Sequence, residues 1–337
     1  MNTETNIEIK NRIMASVYGT ALGDAMGMPT EMWTLEKIQE HFPGGVCELL
    51  PSQDELDGFV RNFKAGQITD DTENTVMVIK MIAENQGKVE AGSYVKKLMN
   101  WIDTDPNSAF VLGPSTQRAV EEIRSGKDMM ETGTYGTTNG AAMKISPIGF
   151  ISNYKNLPEL VSNVWQLCLP THNTKSAIGG ASAIAACVSY AVAGGKNLEE
   201  MMDIAKAAMQ EGEKKGYPNM GANMLRRTNR ALEAAKVFDE QEFRTFIYED
   251  IGTGFEMLET VPAALGIIYH CGGSLHRAVR FCANVGGDTD TLGAICGGVC
   301  GAFSEEVEEE FLRVLEETNQ IHFAEIAEMI APYCPMK

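Results

Sequence analysis

The octapeptide Asn284–Thr291, NVGGDTDT, decides the fold of this chain, and it runs directly into LGAICGG at 292–298. Two carboxylates and two threonine hydroxyls lie within four residues, directly after a glycine pair. Aspartate and threonine are favoured where helices begin, because their side chains accept hydrogen bonds from unpaired backbone N–H groups. The stretch therefore predicts a glycine turn followed by a helix start, with one carboxylate more than a cap requires.

A second helix start of the same kind is TDDT at 69–72, which precedes ENTVMVIKMIAENQG. Helix capping accounts for threonine and aspartate at this place, and the positive end of a helix favours acidic side chains. One aspartate is enough for that purpose, so Asp70 and Asp71 leave a carboxylate that can point elsewhere.

Glycines recur every fourth residue in two segments that are far apart in sequence. They are Gly19, Gly23 and Gly27 in the first segment and Gly293, Gly297 and Gly301 in the second. Such spacing gives each helix a smooth face, so we expect the two backbones to pack closely. This packing would bring six carboxylates near one another, namely those of Asp24, Glu31, Asp70, Asp71, Asp288 and Asp290.

A cluster of carboxylates repels itself unless cations occupy it. Carboxylate and hydroxyl oxygens are hard ligands, which suit Mg²⁺ or Mn²⁺ better than zinc. The stretch lacks the glycine and the distal glutamate of a calcium-binding EF-hand loop, which excludes that motif. The two helix starts together therefore predict a site for hard divalent cations.

The composition is that of a folded protein with a strong acidic excess. Of 337 residues, 44% are hydrophobic and 22% charged, and the net charge is -18. This charge argues against nucleic acid or an anionic membrane as a general partner.

The eight cysteines form no CxxC pair and the first ten residues are polar, so we expect a cytoplasmic protein with reduced thiols and no signal peptide. The uncharged segment 177–195 is mostly Ala, Gly and Ser, which favours a buried core helix over a membrane span.

Helical periodicity dominates the chain, and no alternating strand pattern or internal repeat is visible. We predict helices at 7–26, 72–87, 93–102, 115–124, 139–150, 158–169, 177–195, 198–215, 220–237, 240–248, 260–271, 274–283, 289–303 and 305–317. Residues 40–68 and 126–138 are expected to be loops, and Pro147 is expected to bend the helix at 139–150. The fold class is therefore all-α, as one domain over residues 1–337.

Two further places combine turn residues with groups that can bind a ligand. Asn139-Gly140 precedes AAMKISPIG and is either a helix cap or part of a binding loop. His172 precedes the uncharged segment and is either an ordinary hydrogen-bonding histidine or a site residue.

The motifs occur in one order along the chain: GTALGDAMGMPTE at 19–31, TDDT at 69–72, NGAAMKISPIG at 139–149, His172, and NVGGDTDTLGAICG at 284–297. In this order they resemble the ADP-ribosylglycohydrolase family, over about residues 10–303. The resemblance implies a single orthogonal bundle of a dozen or more helices around a central cleft that holds two divalent metal ions, Mg²⁺ or Mn²⁺.

The resemblance also implies roles for individual residues. Metal ligands would be Thr69, Asp70, Asp71, Asp288, Asp290 and Thr291. Glu31, Asp70 and Asp288 would be catalytic, with Glu31 as general acid/base or as a gate for the sugar. Substrate would be bound by Thr138, Asn139, Gly140 and His172. Lys144 stands where the family more often has arginine, and Val111 stands where several bacterial members have an active-site aspartate. The second departure means that the resemblance does not imply ADP-ribosyl-arginine as the substrate.

Three functions are compatible with these motifs. The first is metal-dependent hydrolysis of the ribosyl linkage of an ADP-ribosylated protein side chain or small molecule. The second is hydrolysis of a nucleoside or another small riboside, which needs the metals but no diphosphate site. The third is a non-catalytic, crystallin-like or binding role, against which the complete ligand set argues. A two-metal phosphate-ester hydrolase is chemically conceivable, but the resemblance argues against it. The sequence does not indicate an oligomeric state.

Overall fold

The structure is a computed structural model that describes residues 3–57 and 60–335, and this part of the chain contains 19 α-helices and no named strand. In chain order the helices are α1 (Thr3–Gly27), α2 (Leu35–His41), α3 (Asp54–Asp57), α4 (Asp70–Glu84), α5 (Ala91–Thr104), α6 (Ser108–Val111), α7 (Pro114–Arg124), α8 (Met129–Thr132), α9 (Ser146–Ile151), α10 (Leu157–Cys168), α11 (Lys175–Val192), α12 (Leu198–Gly212), α13 (Met224–Val237), α14 (Glu240–Phe246), α15 (Met257–His270), α16 (Leu275–Ala283), α17 (Thr289–Ser304), α18 (Glu309–Asn319) and α19 (Phe323–Ile330). The prediction of an all-α bundle is confirmed.

Several short turns of tighter or wider helix connect these elements. They are 3₁₀ turns at Met28–Thr30, Gly133–Tyr135, Asn139–Ala141 and Ala331–Tyr333, and a π turn at Ile247–Ile251. Two of these turns flank residues of the predicted site, because Met28–Thr30 precedes Glu31 and Asn139–Ala141 begins with a predicted ligand-binding residue.

The central contact of the bundle is the antiparallel packing of α1 against α17, in which backbone meets backbone. A Cβ atom on Gly19 would lie 2.2 Å from the carbonyl oxygen of Gly297, and one on Gly23 would lie 1.9 Å from that of Gly293. No side chain fits at such distances, so the glycine spacing is required by the approach of the helices. The end of α1 consequently meets the start of α17, where the Thr289 hydroxyl donates to the Gly27 carbonyl at 2.8 Å.

Other helices enclose this pair. Helix α17 also packs on α11, α15 and α16, and α1 packs on α4, α16 and α19. By length and composition α11 could cross a membrane, but 94% of its residues are buried inside the protein. It is a core helix, as its alanine-rich composition predicts, and it packs on α9, α10 and α12.

The structure differs from the sequence predictions where elements are short. Helices α2, α6 and α19 were not predicted. The expected loop at 40–68 contains α3, and the expected loop at 126–138 contains α8 and a 3₁₀ turn. Segments of four to eight residues carry too few apolar positions for a period to be recognised. The predicted helix at 139–150 is divided into the 3₁₀ turn at Asn139–Ala141 and α9. The predicted bend at Pro147 is wrong, because Pro147 occupies the first turn of α9, where a helix does not need its missing N–H group.

Replacement of Gly19 by alanine should destabilise the protein by about 3 kcal/mol, because the added Cβ would overlap backbone that cannot move independently. Gly44→Ala is the matched control, since a Cβ at Gly44 meets no atom within 4 Å. Chemical denaturation of both variants measures the effect. Equal stability of Gly19→Ala and wild type would contradict the close packing of α1 on α17.

Candidate metal centre and cleft

Asp24, near the end of α1, fixes the start of α4. Its carboxylate is fully buried and accepts the backbone N–H of Thr69 at 3.0 and 3.1 Å and that of Thr72 at 3.1 Å. The Thr72 hydroxyl donates a further bond to the same carboxylate at 2.5 Å. These bonds satisfy N–H groups that a helix start leaves unpaired, so the acidic residues of α4 are held against α1.

The starts of α4 and α17 meet at the side chain of Asp71. Its Oδ2 atom accepts from the Thr69 hydroxyl at 3.0 Å and from the Thr291 hydroxyl at 3.4 Å. The other oxygen, Oδ1, is buried and accepts no hydrogen bond from any described residue. A buried acceptor without a partner is costly, and a bound cation would supply the missing partner.

The glycine turn before α17 aims Asp288 into the same space. Gly286 and Gly287 have φ values of 84° and 81°, which favour glycine. The Gly287 carbonyl accepts the Met32 N–H at 2.7 Å, and the Gly287 N–H donates to the Trp33 carbonyl at 2.8 Å. The Asp288 N–H donates to the carbonyl of Thr253 at 2.7 Å. The turn is thereby held between two loops, and the direction of the Asp288 side chain is set by the backbone.

Two groups of three carboxylates result, and they share Asp290. The first consists of Asp24, Asp71 and Asp290, the second of Glu31, Asp288 and Asp290, and within each group the ligand oxygens lie within 4.8 Å of one another. Asp24 already accepts four hydrogen bonds, so in the first group Asp71 and Asp290 have more capacity left for an ion. The oxygen-only donor set and the orphaned Asp71 oxygen fit two neighbouring hard divalent cations.

The raised pKa values of the site carboxylates indicate a repulsion that bound cations would relieve. Burial raises the pKa of both Asp24 and Asp288 to about 6. The pKa of Glu31 is raised to about 8 by burial and by the neighbouring Asp290, against the opposing effect of Arg61. Burial and the surrounding carboxylates raise the pKa values of the remaining three, Asp70, Asp71 and Asp290, well above the ordinary range. Without cations, the cluster can be neutralised only by protons.

A cleft of about 270 Å³ opens onto these carboxylates. Its lining contains most of the residues that the motifs suggested, namely Glu31, Asp70, Asp71, Thr138, Asn139, Gly140, Asp288, Asp290 and Thr291. Thr69 lies beneath the lining and reaches the site through its bond to Asp71. Asn139 is tied to the metal centre directly, since its Nδ2 atom donates to Asp288 and, at 3.1 Å, to the Thr260 hydroxyl.

His172 does not line the cleft, which corrects the expectation for this residue. It is fully buried, with Nε2 2.9 Å from the Thr138 hydroxyl and Nδ1 2.8 Å from the Thr171 hydroxyl. Burial lowers the pKa of His172 well below its ordinary value, so the ring is neutral. A Cβ on Gly140 would come within 3.0 Å of this ring. His172 therefore supports the loop at 138–140 from behind, and substrate in the cleft meets Thr138 first.

The sequence did not predict the roles of three residues at the site, although Lys144 was noted as a departure from the family. Arg61, from the segment between α3 and α4, forms an ion pair with Glu31. Lys144 is fully buried behind the loop, where its Nζ atom donates to the Gly140 carbonyl at 2.5 Å and burial lowers its pKa to about 8. Phe255 joins the lining because its carbonyl accepts the Asn139 N–H at 2.8 Å. Only the tertiary fold brings these segments to the cleft.

Comparison with known proteins agrees with this geometry. The model of the family described as ADP-ribosylglycohydrolase matches residues 5–335. The chain belongs to the ADP-ribosylglycohydrolase family. Membership identifies it as a hydrolase of glycosidic bonds in a family that is generally metal-dependent. A solved structure described as an ADP-ribosylglycohydrolase-related protein complex shares the fold, with a TM-score of 0.70 at 21% identity, over 97% of this chain and 99% of the other.

Curated relatives cover most of the chain. YegU of Escherichia coli K12, an uncharacterised protein, is 31% identical over 96% of this chain and 97% of its own length. The ADP-ribosylhydrolase ARH3 of Xenopus tropicalis is 24% identical over 88% of each chain. The ADP-ribosylarginine hydrolase Tri1 of Pseudomonas putida is 23% identical over 89% of this chain and 72% of its own length. The names of ARH3 and Tri1 support ADP-ribosyl linkages as the class of bond, and of these two only the name of Tri1 specifies an acceptor, arginine.

The raised carboxylate pKa values predict that the metal-free protein loses stability as pH rises. Between about pH 4 and 8 the folded state binds more protons than the unfolded state, so the free energy of unfolding falls with increasing pH. In EDTA, the melting temperature should therefore decrease by several degrees from about pH 5 to about pH 8, and Mn²⁺ should restore it at pH 8.

The matched variants are Asp290→Asn, at the residue that both groups share, and Asp250→Asn on the surface. Asp290→Asn should raise the melting temperature of the metal-free protein at pH 8 and abolish its response to Mn²⁺, whereas Asp250→Asn should behave as wild type. A melting temperature of wild type that rises with pH in EDTA would show that the cluster is not electrostatically strained.

Proposed function

We propose that this protein hydrolyses the bond between ADP-ribose and a protein side chain or small molecule, with two Mg²⁺ or Mn²⁺ ions held at the floor of the cleft. The observation that carries the proposal is the pair of carboxylate groups that share Asp290 beneath a cleft lined by Asn139 and Gly140. Family membership supports the class of bond, and the oxygen-only ligand set supports the class of ion.

The proposed ligands are Thr69, Asp70, Asp71, Asp288, Asp290 and Thr291. When bound, the two ions supply fixed positive charge that can hold neighbouring ribose hydroxyls and lower the pKa of a water molecule. The protein's contribution is to hold the ligands in place. Asp288 is fixed by the bond from Asn139, and Asp71 by the hydroxyls of Thr69 and Thr291.

Glu31 is the proposed general acid/base of the reaction. Cleavage of a ribosyl bond passes through a state with positive charge on the sugar, and the leaving group must gain a proton. In the metal-free protein, burial and the neighbouring Asp290 raise the pKa of Glu31 to about 8, and burial, the larger cause, brings this pKa into the range that suits a general acid/base near neutral pH. Its side chain is 22% exposed at the edge of the cleft, where a substrate can reach it.

The enclosed part of the cleft is small, at about 270 Å³. This volume suits a ribose and the linked atoms, so the diphosphate and the base would lie along the rim. Backbone N–H groups of the loop at 134–140, other than that of Asn139, which donates to Phe255, are proposed to contact the phosphates. The exposed ring of Phe255 stands beside this loop.

Partner, location and domain organisation follow as proposals from the same observations. The partner is the ADP-ribosylated protein or small ribosyl substrate; the charge of -18 favours neither nucleic acid nor an anionic membrane. Seven of the eight cysteines are buried, which supports a reducing, cytoplasmic location. Contacts of α19 with α1 and α4 support one domain over 1–337, larger than the core at about 10–303.

Asp288→Ala should abolish Mn²⁺ binding and glycohydrolase turnover while the helical content stays near that of wild type. The reason is that Asp288 supplies one oxygen of the second carboxylate group, whereas its backbone N–H, which holds the turn, is retained. Calorimetric titration with Mn²⁺, circular dichroism and release of ADP-ribose measure the three properties. Asp250→Ala serves as the surface control, and EDTA should stop the wild-type enzyme reversibly.

Persistent turnover in Asp288→Ala, or in wild type with excess chelator, would disprove the assignment of the metal site. The product separates the two enzymatic alternatives, because free ADP-ribose indicates the proposed reaction and free ribose indicates hydrolysis of a simple riboside. A protein that binds Mn²⁺ and releases neither product would support the non-catalytic alternative.

One part of the cleft lining, the wall formed by segment 110–114, is apolar, and this supports an uncharged acceptor. Phe110, Val111, Leu112 and Pro114 form it, and the charged side chains among the described lining residues all belong to the carboxylate cluster. With the carboxylates neutralised by the proposed metal ions, a guanidinium group beside this wall would lose water without gaining a counter-charge. We therefore propose an oxygen-linked acceptor, such as an ADP-ribosylated hydroxyl side chain, rather than ADP-ribosyl-arginine.

Val111→Asp should increase the rate on ADP-ribosyl-arginine relative to ADP-ribosyl-serine by about tenfold, because the new carboxylate can pair with the guanidinium group. Val111→Asn is the control, because asparagine has the shape of aspartate without its charge, and it should change this ratio little. Values of kcat/KM for both substrates test the proposal. A wild-type enzyme that prefers ADP-ribosyl-arginine would contradict it.

A further inference from the structure

Arg61 lies at the candidate metal centre in a segment, residues 61–63, whose backbone N–H groups are held by hydrogen bonds. The backbone N–H of Arg61 donates to Asp54 Oδ1 at 3.0 Å, and that of Asn62 donates to Asp54 Oδ2 at 2.9 Å. Two residues later, the Phe63 N–H donates to the Ser52 hydroxyl at 3.0 Å. The guanidinium group is thus delivered from a defined backbone, and its side chain is only 6% exposed.

The Arg61 Nη1 atom donates to Oε2 of Glu31. Taking a guanidinium group out of water is costly, and a buried ion pair adds little stability in return. Arg61 is therefore better explained by what it does to Glu31 than by a contribution to folding.

Two kinds of partner compete for the Glu31 carboxylate. One is a divalent ion, because a carboxylate oxygen of Glu31 lies within 4.8 Å of ligand oxygens of Asp288 and Asp290. The other is Arg61, which already occupies Oε2. A carboxylate that binds a metal ion cannot also transfer a proton to a leaving group, so the outcome of this competition matters for the reaction.

Given the proposed function, on which this inference rests, we propose that Arg61 is a positioning residue that keeps Glu31 out of the metal coordination shell and available to the substrate. The ion pair holds the carboxylate at the edge of the cleft, and the guanidinium charge disfavours an additional metal contact on that side. Without Arg61, Glu31 would turn toward Asp288 and Asp290 and become a third ligand.

The test is a double-mutant cycle on Mn²⁺ affinity, which is measured without substrate. Arg61→Gln should tighten Mn²⁺ binding about tenfold and lower kcat, because Glu31 becomes a ligand. In a Glu31→Gln background the same substitution should change the affinity less than about threefold. Arg61→Lys retains a charge that can pair with Glu31 and should restore most of the wild-type affinity and turnover.

Arg12→Gln is the matched control. Arg12 lies on α1 and forms a largely buried ion pair with Glu305, the residue that follows α17. It should leave Mn²⁺ affinity unchanged. Unchanged or weaker Mn²⁺ binding in Arg61→Gln, or an equal effect in both backgrounds, would overturn the inference.

Glu31→Gln alone keeps the inference testable if Arg61→Gln does not fold. It should alter Mn²⁺ affinity by less than about threefold, because Glu31 is not a ligand in the wild-type protein. A tenfold weakening would overturn the inference while leaving the metal centre intact. Failure of the wild-type protein itself to bind Mn²⁺ would instead contradict the proposed function and, with it, the role of Arg61.

Discussion

The backbone contact between α1 and α17 is the constraint on which the metal centre depends. Because Gly19 faces Gly297 and Gly23 faces Gly293, the two helices approach until the carbonyl groups of one helix contact the backbone of the other. The antiparallel arrangement then places the end of one helix, with Asp24 and Glu31, beside the start of the other, with Asp288 and Asp290. Side chains between the helices would separate these carboxylates, and the two groups that share Asp290 would not form.

The same proximity makes the site unstable without a counter-charge. Six buried or half-buried carboxylates face two basic side chains close to the site, Arg61 and Lys144. Two divalent ions would bring this set to neutrality, whereas the metal-free protein must bind protons, as the raised pKa values indicate. Under the proposed function, folding, metal binding and catalysis depend on one electrostatic balance, and the helix packing creates the need for the cations that the reaction would use.

Local patterns in the sequence were sufficient for the parts of the structure that repeat or cap. The four-residue glycine spacing predicted the smooth faces of the helix pair, and TDDT and GGDTDT predicted the helix starts. Helix faces and helix caps both depend on residues that are close together in the sequence. His172 was expected in the cleft, and the structure places it behind Thr138, since adjacency to a site does not specify depth. Arg61, Lys144 and Phe255 were not predicted, because long-range packing alone brings them to the site. The apolar wall of the cleft has the same origin, although Val111 was noticed in the sequence as a departure from the family.

X-ray diffraction at the manganese absorption edge, from crystals grown with Mn²⁺, tests the metal centre most directly. Two anomalous peaks are expected, one beside Asp71 and one beside Asp288, with Asp290 between them and Glu31 paired with Arg61. A single peak, peaks away from these carboxylates, or none at saturating Mn²⁺ would contradict a two-metal site built by the packing of α1 on α17.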